Sequence, residues 1–156
     1  MPKDPVPKCE ATNPAPSPAC LSALADATLL TPKRTRASDG IMGDPRHQKR
    51  KSDHNQGNAF DITHDPANGI DCNVLVQLAL LDYRVEYVIW NRQIYNKRIP
   101  EKGWRAYKGA PHNHHMHVSI KAALRSIDSP WPWAALKSTT PVAASGADNT
   151  TGTRKR

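Results

Sequence analysis

The sequence lacks the features that define several large classes of protein. No run in its 156 residues approaches the roughly 18 apolar residues that a membrane helix needs, and the longest run, residues 74–81, is interrupted by Gln77. We therefore expect no insertion into a membrane. The N-terminal segment MPKDPVPKCE also lacks the apolar core of a signal peptide. We expect the chain to be cytoplasmic as synthesised and to act elsewhere only after release.

Cysteine is scarce as well. The three cysteines, Cys9, Cys20 and Cys72, are odd in number, and no two of them have C-x-x-C spacing. A disulfide framework and a zinc site built from cysteines are therefore not expected. A bridge between Cys9 and Cys20 stays possible in an oxidising setting, and Cys72 is expected to face a core.

Acidic residues are outnumbered by basic ones. The chain has 22 Lys and Arg against 14 Asp and Glu, which gives a net charge of +8. Such a balance favours polyanionic partners, namely nucleic acid, an anionic membrane surface or an anionic cell wall. Much of the excess lies in residues 32–52, which are interpreted either as part of such a surface or as a solvated loop.

The distribution of proline and small polar residues divides the chain into three parts. Residues 1–20 are rich in proline and predict an irregular N-terminal segment. Residues 21–136 carry the periodic apolar patterns and predict one compact domain, in keeping with the length. Residues 137–156 consist mainly of Thr, Ser, Ala and Gly with basic residues at the end, and predict a disordered basic tail.

The predicted fold class is α+β, with a small antiparallel sheet flanked by short helices and long loops. Helices are predicted over residues 21–30 and 72–81, the second capped by Asp71, and a third short helix starts at residue 121. β-branched and aromatic runs predict strands over 58–63, 85–91 and 115–120, and residues 92–96 extend the second strand or pair back on it. Residues 97–113, which contain several Pro and Gly, predict a long loop.

Two short segments contain candidate metal ligands. His54 precedes Asp61 by seven residues, and Gly57 between them allows the chain to turn sharply into a strand. His115 and His117 lie two apart in a predicted strand, so their side chains point to the same face of the sheet. Two imidazoles and one carboxylate are suitable zinc ligands and leave a fourth position for water, as in catalytic zinc sites.

The pattern S-x-H-x-x-G-x-A-x-D followed by H-x-H makes the sequence similar to the LAS zinc peptidases. Within that group it most resembles the branch of VanY-like D-alanyl-D-alanine carboxypeptidases and phage endolysins. The wider segment from residue 36 to residue 69, together with VIWNRQIY and the W-x-x-Y before H-x-H, contributes to the resemblance, which covers roughly residues 30–133. It implies a fold like that of hedgehog domains and D-alanyl-D-alanine peptidases.

The resemblance also implies roles for individual residues. His54, Asp61 and His117 would bind Zn²⁺, the implied cofactor. His115 would be a catalytic residue that stabilises an oxyanion or helps to move a proton. Ser52 would lie behind the ligands and orient one of them, and it is also a candidate substrate-binding residue.

Further residues are candidates for substrate binding. The resemblance implies an arginine 18–20 residues before the first zinc histidine that holds a substrate carboxylate or carbonyl, and Arg34 and Arg36 both qualify. The aromatic side chain of Trp104 is interpreted either as a surface on which substrate stacks or as part of the core.

The sequence departs from the resembled branch at one catalytic position. Relatives commonly have an acidic general base three residues before the last zinc histidine, where this chain has His114. The base is therefore His114, His115 or a carboxylate from elsewhere, such as Glu101. A neutral imidazole is chemically able to accept the proton near pH 7.

The function implied by the resemblance is zinc-dependent cleavage of the stem peptides of peptidoglycan, by a monomeric carboxypeptidase or endopeptidase that lyses or remodels the wall. Peptidoglycan is thus the expected partner, and nucleic acid is not. Two alternatives stay open. The first is a non-catalytic, zinc-stabilised module that binds the wall or nucleic acid, and the second is a metal-dependent nuclease, suggested by the string His-Asn-His-His at residues 112–115.

Overall fold

We analysed the fold in a computed structural model, which describes residues 15–42 and 52–136. This part of the chain forms two α-helices and five β-strands, so the predicted α+β class is confirmed. The helices are α1 (Pro18–Leu30) and α2 (Cys72–Leu80). The strands are β1 (Ala59–Thr63), β2 (Val85–Trp90), β3 (Gln93–Asn96), β4 (Trp104–Ala106) and β5 (His115–Ile120).

The five strands form one antiparallel sheet in the order β1-β5-β2-β3-β4. β5 is the last strand in the chain but lies between β1 and β2. The register of β2 against β5 shifts by one residue between Val85 and Tyr87. This bulge lets Val85 and Val88 both lie in the core, while Tyr87, opposite Ser119, faces the other side of the sheet.

One face of the sheet packs against both helices. Phe60 and Ile62 from β1 and Met116 and Val118 from β5 are fully buried in this core. The residues between them along each strand face away from the helices, because side chains alternate across a strand. The second face is therefore available for a site, and the alternating patterns of β1 and β5 decide which residues it carries.

Helix α1 begins at Pro18, three residues before the predicted start at residue 21. The Ser17 hydroxyl accepts a hydrogen bond from the Cys20 backbone at 3.3 Å, and Pro18 occupies the first turn, where its missing N–H costs nothing. The proline-rich composition of the segment concealed this capping pair. The division predicted at residue 20 thus falls inside a helix whose Ala19 and Cys20 are fully buried.

The C-terminal part of the described chain returns to α1. The indole N–H groups of Trp131 and Trp133 donate to the carbonyls of Ala19 and Ala23 at 2.8 and 2.9 Å. Both rings are buried, and both lie edge-on to Phe60 of β1. These contacts fasten the end of the domain to its first helix and first strand.

Two of the predicted elements differ in the structure. The predicted loop over 97–113 contains the 3₁₀ turn Pro100–Lys102 and strand β4, which extends the sheet by pairing with β3. The predicted helix from residue 121 is a single 3₁₀ turn, Ala122–Leu124. The helix predicted over 72–81 is confirmed, and the Asp71 side chain caps it by accepting from the Asn73 backbone at 2.9 Å.

Some predictions concern residues outside the described ranges. The irregular segment is described only from residue 15, the tail from 137 to 156 lies wholly outside, and so does Cys9, the suggested partner of Cys20. Cys72 is fully buried, as predicted. Among the described residues, no helix has the length and apolar character required to cross a membrane.

Candidate metal centre

The structure brings the three predicted ligands together on the face of the sheet that is turned away from the helices. The distance from His54 Nε2 to Asp61 Oδ1 is 3.2 Å, and the distance from His54 Nε2 to His117 Nδ1 is 3.1 Å. His117 Nδ1 lies 3.3 Å from Asp61 Oδ1. The three donor atoms thus form a nearly equilateral triangle, and such a group can hold a metal ion.

Strand pairing places two of these ligands. Asp61 on β1 and His117 on β5 are direct cross-strand partners, and Thr63 and His115 are the next pair on the same face. Side chains opposite one another in an antiparallel pair lie close together. The prediction that His115 and His117 share a face is confirmed, because His115 Nε2 lies 3.6 Å from the second carboxylate oxygen of Asp61.

A short turn presents the third ligand. His54 lies in the 3₁₀ turn Asp53–Gln56, whose first backbone groups are capped by Ser52, and the Ser52 hydroxyl accepts from the His54 N–H at 3.3 Å. Gly57 then reverses the chain with a left-handed φ of 69°. A side chain at Gly57 would also clash, because an added Cβ would lie 2.7 Å from the Ala15 carbonyl oxygen. The Ser52 side chain therefore supports the turn that presents His54, through a bond to the backbone.

The donor set fits a small divalent cation. The Nδ1 of His54 lies 2.7 Å from the Ile41 carbonyl oxygen, which can only accept, so Nδ1 carries a hydrogen and, in the neutral imidazole that a metal binds, the lone pair is on Nε2. This lone pair is directed towards a carboxylate oxygen and a second imidazole nitrogen. Tetrahedral zinc with bonds of about 2.0–2.1 Å separates its ligand atoms by about 3.3 Å. The observed separations of 3.1–3.3 Å are close to that value.

The charges within the site are strongly coupled. Burial alone would raise the pKa of Asp61, but hydrogen bonds and charges from His117 and His54 outweigh it and hold that pKa well below its ordinary range. Burial lowers the pKa of His54, yet the hydrogen bond and charge of Asp61 reverse this effect and leave the pKa raised. Burial keeps the pKa of His117 low despite Asp61. In the metal-free site, His54 is therefore the histidine that holds a proton most firmly, and a metal ion has to displace that proton.

His115 lies beside the three ligands without being one of them. It is partly exposed, and its Nδ1 is buried with no hydrogen-bond partner among the described residues. Burial lowers the pKa of His115, and the nearby Asp61 only partly opposes this effect. A neutral imidazole that is accessible from one side can donate a hydrogen bond or accept a proton next to a bound ion.

A second imidazole, from the predicted loop over residues 97–113, also reaches the site. The ring centroid of His112 lies 5.1 Å from that of His115 and 5.7 Å from that of His117, with an edge-to-face arrangement in both pairs. Its Nδ1 lies 2.7 Å from the Ala110 carbonyl oxygen and therefore carries the hydrogen, which leaves the lone pair on Nε2.

The loop holds His112 in a constrained position. The backbone of His112 has a φ of 49°, in the left-handed region that is unfavourable for a side chain of this size. The hairpin turn between β2 and β3 braces it, because Asn91 N–H donates to the His112 carbonyl at 2.8 Å and Arg92 N–H donates to the Pro111 carbonyl at 2.7 Å. Residues kept in such strained conformations often belong to functional sites.

The structure encloses Arg34 in an ion pair. Its guanidinium makes two hydrogen bonds to the Asp39 carboxylate, at 3.0 and 2.6 Å, and one to the Thr28 hydroxyl at 3.1 Å. The side chain is completely buried. Asp39 in turn accepts from both the N–H and the hydroxyl of Thr63 at the end of β1. Arg34 is thus engaged in holding residues 39–41 beside β1, and its completely buried side chain is not accessible to a substrate.

Residues 39–41 contact two of the proposed ligands, Asp61 and His54. Gly40 pairs with Asp61 through two backbone hydrogen bonds, and the next residue, Ile41, provides the carbonyl that fixes His54. Arg34 therefore bears on the metal site indirectly, through the segment that it anchors.

The remaining predicted residues differ in their relation to the site. Arg36 is exposed, and so is His114, whose carbonyl accepts from the His64 N–H at 2.9 Å. Trp104 is not brought to the site. It lies opposite Tyr95 in the β3–β4 ladder, and Tyr95 lies opposite the buried Val88, so the register places Trp104 on the helix-covered face. The Trp104 ring packs edge-on against Tyr95 and borders the core.

The chain matches a protein family described as VldE, C-terminal domain. The match covers residues 22–118, which is more than half of the chain and includes His54, Asp61 and His117. The family's description states no reaction. No curated protein and no solved structure matches the chain.

Proposed function

The chain belongs to the VldE C-terminal domain family, and from the geometry of its site we propose that it is a zinc-dependent peptidase that cleaves the stem peptides of peptidoglycan. The observation that carries the proposal is the triangle of donor atoms from His54, Asp61 and His117, at 3.1–3.3 Å from one another, with the imidazole of His115 beside it. The two sequence motifs that resemble VanY-like peptidases supply these same residues.

The composition of the donor set favours catalysis over a structural metal site. Structural zinc is usually held by four protein ligands, often cysteines, whereas catalytic zinc has three and keeps one position open. Among the described residues, the candidate centre has two histidines and one aspartate. It lies on the sheet face opposite the core, where a substrate can approach.

In the proposed reaction, zinc would activate the water and the peptide carbonyl, and histidines of the chain would donate hydrogen bonds and transfer protons. A bound zinc ion supplies Lewis-acid polarisation of a peptide carbonyl and makes water nucleophilic near neutral pH. The neutral, partly exposed imidazole of His115 is placed to donate a hydrogen bond to the oxygen of the attacked carbonyl or to accept a proton. His112, whose Nε2 has its lone pair available, is placed to pass a proton towards the leaving amine.

Peptidoglycan is the proposed substrate for two reasons. The resembled branch acts on its stem peptides, and a net charge of +8 suits an anionic wall. Of the two arginines considered for the substrate carboxylate, Arg36 is exposed and Arg34 is enclosed by Asp39, so Arg36 is the one we assign. The protein is proposed to act as a monomer.

Digestion of purified peptidoglycan tests this function directly. We expect mass spectrometry of the muropeptides to show products in which one stem-peptide or cross-bridge bond has gained water. The products should disappear after treatment with a chelator and return when Zn²⁺ is added. The mass of the released fragment identifies the bond and separates a carboxypeptidase from an endopeptidase. Unchanged muropeptides with the zinc-loaded protein would contradict the proposal and would favour a zinc-stabilised binding module.

Single alanine substitutions can distinguish the roles of three histidines near the proposed ligands. We expect His115→Ala to lower kcat/KM about 100-fold or more, because it removes the donor to the developing oxyanion. His112→Ala should lower it about 10-fold or more, since its ring contacts His115 and His117. His114→Ala makes the same chemical change at an exposed position and should lower it less than about 2-fold.

The zinc affinity of these variants is the control, because none of the three histidines is a proposed ligand. Zinc dissociation constants close to that of the unsubstituted protein would locate each effect in catalysis. A large loss of activity in His114→Ala alone would instead support the base position inferred from the sequence resemblance.

A nuclease is the weaker alternative. The string at residues 112–115 consists of three loop residues and the first residue of β5. Within the described part of the chain, it does not belong to a ββα element. The zinc-loaded protein can be incubated with plasmid DNA and Mg²⁺ to compare the two activities.

A further inference from the structure

A chain of polar side chains starts at His117 Nε2, the ring nitrogen that faces away from the donor triangle. His117 Nε2 lies 2.8 Å from the Ser119 hydroxyl. Ser119 is the cross-strand partner of Tyr87, which places its hydroxyl beside the phenol, and the Tyr87 hydroxyl donates to Asp53 Oδ2 at 2.9 Å. His117 and Ser119 are both buried, and the Tyr87 ring stacks on the His117 imidazole with centroids 5.7 Å apart.

The carboxylate of Asp53, at the end of this chain, decides which group donates and which accepts at each step. A carboxylate can only accept, so the Tyr87 hydroxyl directs its hydrogen to Asp53, and its oxygen is left as an acceptor for the hydroxyl hydrogen of its cross-strand partner Ser119. The Ser119 oxygen then accepts from His117, which places the imidazole hydrogen on Nε2. The lone pair of His117 is thereby on Nδ1, the atom that faces His54 and Asp61.

We propose that Asp53, Tyr87 and Ser119 are positioning residues that fix the metal-binding tautomer of His117. The inference rests on the metal centre of the proposed function, but it does not depend on which bond the enzyme cleaves. Zinc-bound histidines commonly donate their other N–H to a carboxylate or carbonyl, which fixes the tautomer and the ring orientation. In this protein the hydroxyl groups of Ser119 and Tyr87 lie between the His117 imidazole and the Asp53 carboxylate.

The fold explains why these residues meet. Ser119 lies two positions after His117 on β5 and so shares its face, and Tyr87 is the cross-strand partner of Ser119 on β2. The bulge before Tyr87 brings that side chain to the site face. Asp53 precedes His54 in the chain, so the segment that supplies one ligand also supplies the carboxylate that orients the other.

The two histidine ligands are thus oriented independently. The Ile41 carbonyl fixes His54 directly, whereas the chain from Asp53 fixes His117 through two hydroxyl groups. Both lone pairs point into the same triangle. An isolated imidazole in water would exchange between tautomers, and binding would then have to select the competent one at a cost in affinity.

Three substitutions interrupt the chain at different points. Ser119→Ala removes the partner of His117, Tyr87→Phe removes a linking hydroxyl while keeping the stacked ring, and Asp53→Asn replaces an acceptor with a group that can also donate. Tyr83→Phe is the matched control, because it removes a hydroxyl from an exposed tyrosine outside the chain.

The tautomer of His117 is read from the ¹⁵N chemical shifts of its ring in metal-free, histidine-labelled protein, and the zinc dissociation constant is measured by competition with a chelator. We expect Nε2 to carry the hydrogen in the unsubstituted protein and in Tyr83→Phe. The three chain variants should show a mixture of tautomers and bind zinc about 10- to 100-fold more weakly. A merely structural role would leave the tautomer unchanged.

Two results would overturn the proposal: a hydrogen on Nδ1 of His117 in the unsubstituted protein, or zinc affinities within about 2-fold in the chain variants that fold. If Ser119→Ala does not fold, Tyr87→Phe and Asp53→Asn provide the test. Failure of the proposed peptidase function appears separately, as zinc binding and the expected tautomer without cleavage of peptidoglycan.

Discussion

Replacing His117 by alanine is expected to abolish both zinc binding and the cleavage of peptidoglycan. The substitution removes one of three protein donors and leaves Asp61 and His54 with no third side chain to complete the triangle. Structural zinc sites with four protein ligands bind with about 10–16 kcal/mol, so one ligand contributes roughly 3 kcal/mol, which corresponds to about 100-fold or more in affinity. His54→Ala should have the same effect, because its Nε2 lies 3.2 and 3.1 Å from the other two donor atoms.

His114→Ala is the matched control for both variants, since it removes an exposed imidazole three residues before His117. Zinc affinity is measured by chelator competition, activity by release of muropeptide products, and folding by circular dichroism of the metal-free proteins. Folded His54→Ala and His117→Ala variants that both retain zinc binding and lysis would contradict the assignment of the site.

The sequence is sufficient to predict much of this centre, because the relevant patterns are local. An alternating run places His115 and His117 on one face whichever strands lie beside them. A glycine after the 3₁₀ turn, at Gly57, indicates a tight reversal before β1. What these patterns do not contain is the register, and only the pairing of Asp61 with His117 shows that the carboxylate and the imidazole lie opposite one another.

Residues whose position depends on distant contacts were not predictable in the same way. His112 reaches the site because Asn91 and Arg92, in the β2–β3 turn much earlier in the chain, donate backbone hydrogen bonds to the loop that carries it. A histidine in a left-handed conformation leaves no periodic pattern in the sequence. Trp104 was equally ambiguous, because strand β4 has only three residues, and its pairing with β3 decides which face the indole occupies.

Arg34 shows how spacing alone can mislead about a role. Its distance from His54 agrees with the arginine of the resembled branch, yet Asp39, five residues later, pairs with both terminal nitrogens of the guanidinium. A bidentate pair of this kind requires the turn between the two residues, and the basic composition of residues 32–52 does not indicate that turn. In the folded protein, Arg34 therefore holds residues 39–41 beside β1 and does not bind substrate as the spacing suggested.

The largest expected effect on stability comes from Arg84, which is buried away from the metal site. Its guanidinium makes two hydrogen bonds to Asp82, at 2.9 and 2.8 Å, and donates to the backbone carbonyls of Ile127, Ser129 and Pro130. It also lies 3.9 Å above the centre of the buried Trp131 ring. This one side chain therefore fastens the C-terminal segment to the start of β2.

We expect Arg84→Met to lower the free energy of unfolding by about 3–5 kcal/mol, because it leaves the buried Asp82 carboxylate without its cation and several carbonyls without donors. Urea denaturation of the metal-free protein measures the effect without a contribution from zinc. Arg98→Met is the matched control, since Arg98 is 73% exposed in its ion pair with Glu86, and its loss should cost less than about 1 kcal/mol. A loss below about 1 kcal/mol in Arg84→Met would mean that water or relaxation of residues 127–130 satisfies these groups, and that the C-terminal segment is held by its two tryptophans instead.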